Sequence, residues 1–402
     1  MSGRGLSKTR LARLRNVLAT HVENGDVPGL VDAISRSGEA HYDTLGVKAL
    51  ETGELMRRDS IFRIASVTKP VAAVAALILV EECKLRLDTP IDAFVPELAN
   101  RKVLKRLDGP LEDTEPAKRP INLRDLLTCR MGFGAIMEPS SEYPLQRAIN
   151  DTSISVGPKL PTAATMDEYA RDIGSLPWMH QPGQAWRYDT SFDVLGVLLE
   201  RVAGRPLEAF MHERIFEPLG MKDTSFRIAP EKLPRLAACY LRNSDTRTLD
   251  VFDDPNKSEW SRPPGFCSCA GGLVSTVDDC LAFGRMLLDY GKHGRERILS
   301  RPSVELMTTD HITPEQKSVS PFFPGFWDNN GWGFGVGVTT RRDELASPVG
   351  SYGWAGGYGT LLHIDPREDL VGVFLSQRVF DESGLPLAFT DFPTLMYQSF
   401  DD

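Results

Sequence analysis

The stretch Ile61-Phe62-Arg63-Ile64-Ala65-Ser66-Val67-Thr68-Lys69-Pro70 runs straight into ten apolar residues, 71–80. The short apolar segment at 61–65 reads as a strand. The run behind it reads as a helix over 66–83, apolar all round and therefore buried. Ten residues fall well short of the roughly 20 that a membrane span needs. Residues three apart on a helix share a face, so this spacing puts the Lys69 amine within reach of the Ser66 hydroxyl. A serine hydroxyl is a poor nucleophile until a neighbouring base takes its proton. Burial disfavours a charged ammonium, which lets a lysine serve as that base. The helix start adds free N–H groups and a positive dipole end towards developing negative charge. Pro70 biases Lys69 away from helical angles, so a distorted first turn is expected. The competing reading is an N-capping serine beside a solvated lysine, and the all-apolar continuation argues against it.

Working outward, residues 30–35 and 39–45 read as two short strands joined by a turn at Ser37-Gly38. Strand-like runs return at 332–338, 360–364 and 370–375, separated by Gly and Asp-Pro turns. Between these ends lie helical patterns at 123–129, 193–203 and 278–290, and a last helix is expected at 393–400. Near the start, Leu11, Leu14, Leu18 and Val22 recur at spacings of three and four among Arg4, Lys8, Arg10, Arg13 and Arg15. That is an amphipathic helix with a solvated basic face, a membrane-surface helix being the alternative. Strands at both ends and helices between them imply one sheet assembled from both termini, with a helical lobe inserted. The expected division is 1–85 plus 300–402 for the sheet domain and 86–299 for the mainly helical one. An active site then belongs in the groove between them.

The composition excludes several classes. Of 402 residues, 41% are hydrophobic and 25% charged, which is ordinary for a folded globular chain and rules out disorder or a coiled coil. A net charge of −9 repels a phosphate backbone, so no nucleic-acid partner is expected. No secretory signal is visible, which leads to the expectation of a cytoplasmic protein whose six cysteines are free thiols. Cys267-Ser268-Cys269 is a close pair, but no second pair stands at zinc-ligand spacing, and no metal or organic cofactor is expected. Residues 331–337 alternate glycine strictly and open no helix. They read as a strand needing close backbone approach, not as a dinucleotide-binding turn.

Two further stretches add to the Ser66/Lys69 pair. Tyr188-Asp189-Thr190 precedes the helix containing Leu195-Gly196, and Trp354-Ala355-Gly356-Gly357 opens a strand pair. In this order the three resemble the signature elements of the serine β-lactamase and penicillin-binding protein superfamily, with the nearer likeness to its class C branch and the family VIII carboxylesterases. Residues 121–128, 271–276 and 365–374 support the likeness, which covers roughly residues 25–400. The resemblance implies an α/β (α+β) fold of the β-lactamase/transpeptidase type, its antiparallel sheet flanked by helices. It implies Ser66 as the acyl-forming nucleophile, Lys69 as its base and Tyr188 as the partner in proton transfer. It also implies an oxyanion hole from the backbone N–H groups of Ser66 and of Gly357 on an edge strand.

Two departures bear on substrate. Thr190 stands where class C members carry Asn, and Trp354 stands where they carry the lysine that faces a substrate carboxylate. An indole cannot replace that charge, so neutral carboxylic esters are expected over anionic lactams. Trp354, Gly356, Phe133 and Trp327 are the candidate substrate-binding residues. The aromatic group Phe322, Phe323, Phe326, Trp327 and Trp332 reads either as a satellite core or as a substrate wall, with Met131, Phe133 and Met137 opposite. His180, His212 and His363 are read as structural. The expected reaction is hydrolysis of small-molecule esters of small to medium acids through an acyl-enzyme. The alternatives are a β-lactamase, a D-peptidase, an acyltransferase, or a non-catalytic binding module.

Overall fold

The computed structural model describes residues 5–138, 143–155, 157, 159–381 and 384–401; Arg4 lies outside them. Near the N-terminus, α1 (Lys8–Glu23) is followed by β1 (Gly29–Arg36), β2 (Glu39–Ala49) and β3 (Glu54–Leu55). Far along the chain come β4 (Asn330–Trp332), β5 (Gly337–Thr339), β6 (Tyr352–Gly356), β7 (Thr360–Asp365) and β8 (Leu370–Ser376). All eight join one antiparallel sheet in the order β4-β5-β6-β7-β8-β1-β2-β3. Ser37 and Gly38 both take positive φ, 50° and 83°, the turn whose twist suits two paired strands.

The sheet is covered on both faces, which is why every residue of β1 is buried. On one face, Leu30 and Ile34 meet Leu11, Leu14 and Leu18 of α1 and Phe389 and Phe392 of the C-terminal helix. On the other, Val31 and Ala33 join the main core. That core continues through α2 (Thr68–Glu81) and α3 (Ser191–Ala203) to α4 (Val277–Leu288), which packs against β1, β7 and β8. Gly284 of α4 lets the helix close on Val371 of β8. So α4, which lies within 86–299, is part of the sheet's cover. Residues Thr68 to Leu79 of α2 are all buried, as the unbroken apolar run requires.

Two expectations need correction. Residues 332–338 are a hairpin, not one strand: β4 ends at Trp332, β5 begins at Gly337, and Gly335 between them takes φ +72°. Alternating glycine mimics strand periodicity, while here it serves a tight turn pressed onto α2. The last helix, α5 (Leu387–Gln398), begins six residues before the expected start and holds Pro393 inside it. Burial of Ala388, Phe389, Phe392, Leu395 and Met396 against the sheet outweighs the proline's local preference.

Candidate active site

Ser66 lies in a tight 3-10 turn, Ala65–Val67, that leads into α2. Ala65 is buried and takes φ +44°, a left-handed conformation costly for a residue with a side chain. The strand-like pair Phe62–Arg63 with Val274–Ser275 draws the loop before Val274 against this turn. Lys69 follows on the first turn of α2 and has no exposed surface. Its Nζ donates to Ser66 Oγ at 3.0 Å, to the Ala270 carbonyl at 2.6 Å and to Asp189 Oδ2 at 3.4 Å.

Tyr188 comes from the segment just before α3 and lies with its ring centroid 4.3 Å from Lys69 Nζ. Its hydroxyl accepts a hydrogen bond from Trp354 Nε1 at 2.7 Å. Trp186 stacks on the Tyr188 ring at 5.5 Å and Phe322 lies 5.4 Å away, so the phenol is held from behind. Burial alone pushes the Lys69 ammonium down, but Tyr188 and Asp189 outweigh it and the net shift is upward. The neutral resting lysine expected from burial is thereby reversed, because the Tyr188 phenol and the Asp189 carboxylate are buried with it. Burial raises the Tyr188 phenol, with the Lys69 charge opposing.

Gly357 follows the end of β6 and lines the same cavity as Ser66. β6 is an interior strand, not the edge strand expected. However, β5 pairs only with Tyr352 and Gly353, which leaves Trp354 to Gly356 uncovered on that side. Among the described residues, the backbone N–H groups of Ser66 and Gly357 donate to no protein carbonyl. Gly356 is buried where a Cβ would strike the Ile64 carbonyl and the Thr360 hydroxyl, so it sets the approach of β6 to the Ser66 turn and does not line the cavity.

The cavity holds about 400 Å³. Phe322, Phe323, Phe326 and Trp354 line it, together with Met137, Leu160, Phe380, Leu385 and Phe389. Trp327 is turned away, its indole N–H donating to the Ser320 carbonyl at 2.6 Å and its ring edge-on to Trp186. Phe133 and Met131 are fully buried core residues outside the lining. Both corrections have one cause: aromatic residues near the site are needed twice, as wall and as support for the wall. Thr190 is buried, and among the described residues its hydroxyl has no hydrogen-bond partner.

Asp189, Asp193 and Ala270 were not distinguished by spacing, and Phe380, Leu385 and Phe389 reach the cavity from a distant part of the chain. No histidine lines this cavity among the described residues. His180 is held by Arg187 at 2.9 Å and pushed down to about 4 by burial, as is His363 beside Tyr397. His212 is exposed elsewhere. Among the described residues no three metal-ligating side chains converge, and no helix is long and apolar enough to cross a membrane. A larger cleft of about 710 Å³ beside Lys48 and Pro234 contains neither Ser66 nor its partners.

The sequence pattern of the Beta-lactamase family matches residues 14–390. Protein Rv1367c of Mycobacterium tuberculosis is 39% identical over 345 residues, 84% of this chain and 82% of that one. Esterase EstB of Burkholderia gladioli is 29% identical over 395 residues, covering 94% and 92%. The solved structure of EstCE1, a hydrolase with promiscuous acyltransferase activity, aligns with a TM-score of 0.78 at 25% identity, covering 97% of this chain and 98% of the other. The helices and antiparallel sheet are therefore arranged in the β-lactamase/transpeptidase-like fold. Since the family pattern runs from the first helix into the last, this chain belongs to the Beta-lactamase family.

Proposed function

We propose that this protein is a serine carboxylesterase that works through an acyl-enzyme, with Ser66 as nucleophile. The observation that carries the reading is the 3.0 Å contact between Lys69 Nζ and Ser66 Oγ at the floor of an apolar cavity. In this reading Ser66 Oγ attacks the ester carbonyl carbon, and its proton passes to the Tyr188/Lys69 pair. The amides of Ser66 and Gly357 receive the oxyanion. The pair returns the proton to the departing alkoxide as the C–O bond breaks. Water then attacks the acyl-enzyme, giving up a proton to the pair, which returns it to Ser66 Oγ as the bond to the acyl carbon breaks and the acid leaves.

Lys69, charged at rest, favours the phenolate of Tyr188 as the proton acceptor. Asp189 and the Ala270 carbonyl hold that charge in place. Esterase EstB and the lovastatin esterase of Penicillium rubens, 29% identical over 90% of this chain, support ester chemistry. An acyl acceptor other than water gives acyl transfer from the same intermediate, a second reading that the promiscuous acyltransferase activity of EstCE1 favours. Six unpaired thiols suit a reducing compartment, and we place the enzyme in the cytoplasm.

Substrate class follows from Trp354. A charge-assisted hydrogen bond from a lysine to a carboxylate contributes about 1.5–3 kcal/mol. Its loss costs anionic lactams roughly ten- to a hundredfold in kcat/KM and costs neutral esters nothing. The test compares p-nitrophenyl butyrate with nitrocefin on the wild type and on Trp354→Lys. The ester should be preferred by the wild type, and the substitution should narrow the gap. A wild type that prefers nitrocefin contradicts the esterase reading.

A further inference from the structure

Asp193 sits in the first turn of α3 and is buried, yet it belongs to no ion pair among the described residues. Its Oδ1 accepts two hydrogen bonds, from Ser268 Oγ at 2.7 Å and from the Ala270 N–H at 3.0 Å. Ser268 Oγ in turn accepts from the Gly271 N–H at 3.2 Å, and the Ser268 carbonyl accepts from the Gly272 N–H at 2.8 Å. The turn at 268–272 is therefore closed on itself, and a Cβ on Gly272 would strike the Ser268 carbonyl at 2.7 Å. One carboxylate oxygen outside the turn holds its tip. On its far side, the Ala270 carbonyl accepts from Lys69 Nζ at 2.6 Å, the shortest of the three contacts made by that amine.

We propose that Asp193 is a positioning residue for the ester-cleaving reaction: through Ser268 and Ala270 it fixes the carbonyl that aims Lys69 at Ser66. The inference rests on the serine-esterase reading above. Asp193 need not touch substrate for this role, and the chain of contacts Asp193–Ala270–Lys69–Ser66 is continuous. Burial pushes the Asp193 carboxyl up to about 7, with Asp189 adding to the shift. Since Oδ1 accepts in either protonation state, the role asks for an acceptor at this position and not for a charge. Removing it strands the Ser268 hydroxyl and the Ala270 N–H in a site where both residues are nearly fully buried.

The experiment compares Asp193→Ala, Asp193→Asn, Ser268→Ala and Ser66→Ala with the wild type. Steady-state and single-turnover hydrolysis of p-nitrophenyl butyrate are measured, with thermal melts as the control for folding. Asp193→Ala should lower kcat and the acylation rate at least thirtyfold with a much smaller change in KM, since the lysine is misaimed while only one of the many side chains lining the cavity is shortened. Asp193→Asn keeps an acceptor oxygen and should recover at least tenfold of that loss. Should Asp193→Ala fail to fold, Ser268→Ala carries the test, with kcat down about three- to tenfold and KM held; an unchanged kcat there overturns the role. A folded Asp193→Ala with wild-type kcat, alongside an inactive Ser66→Ala, overturns the positioning role alone. Equal loss in Asp193→Ala and Asp193→Asn also overturns it. Wild-type turnover by Ser66→Ala overturns the esterase reading and this inference together.

Discussion

Lys69 is pulled in two directions, by burial towards neutrality and by Tyr188 and Asp189 towards charge, and charge prevails. The proton-accepting form of the Tyr188/Lys69 pair therefore becomes more populated as pH rises. Expressed as kinetics, kcat/KM for a neutral ester should still be climbing as pH passes through neutrality into the alkaline range. A plateau already present at neutral pH in a pH–rate profile would contradict the charge assignment. Lys69→Ala and Tyr188→Phe should each lower kcat by about a hundredfold or more, and the double variant should lose little further, because the two act as a unit. At this scale the sequence was informative where spacing carries chemistry, as for Ser66 and Lys69, or where a resemblance supplied the position, as for Tyr188. Asp189 and Asp193 stood beside Tyr188 in plain view, but nothing in a lone carboxylate says that it will be buried against an amine. Phe133 looked like a wall because an aromatic in a Gly-broken loop has the same composition whether it faces substrate or core.

Among the elements, the hairpin β4–β5 has the tightest hold on the site. Gly335 takes φ +72°, and a Cβ there would lie 2.8 Å from the Lys69 carbonyl and 2.9 Å from the Phe192 ring. Gly335→Ala therefore meets both a left-handed backbone and a fixed neighbour, at a cost of about 1–2 kcal/mol for the backbone alone. A lower melting temperature is expected, together with a loss of kcat greater than the loss of folded protein, since the displaced segment carries Lys69. A melt and a turnover rate that match the wild type would show that the turn is slack. The two N-terminal strands were legible because two short runs of strand length flank a Ser-Gly turn. The β4–β5 turn was not, because period-two glycine is also what a strand in close contact looks like. The last helix was cut short at Pro393 because local preference was weighed without the apolar face that the sheet later covers.

Across the whole molecule, the sheet that closes both chain ends together also buries Asp32 at its centre. Asp32 on β1 pairs directly across from Asp43 on β2, and neither of its oxygens has a hydrogen-bond partner among the described residues. Burial, reinforced by Asp43, holds its carboxyl well above the usual carboxylate range. The unfolded chain releases this proton near pH 4, whereas the folded chain keeps it, so stability falls as pH rises above that value. Asp32→Asn cannot ionise. Its melting temperature relative to the wild type should improve from pH 5 to pH 8, and an offset that stays constant across that range would contradict the assignment. That strands from both ends would share one sheet was readable from their placement along the chain, while the packing of α4 on that sheet was not, since a helix shows which face is apolar but not what covers it. All of these elements converge on one hydroxyl, and the direct test is to find which residue becomes acylated. The protein is treated with a fluorophosphonate probe, weighed intact, and mapped by peptide mass. The expected result is a single adduct on the peptide containing Ser66, absent from Ser66→Ala and formed far more slowly in Lys69→Ala. An adduct on any other residue, or undiminished labelling of Ser66→Ala, would contradict the account.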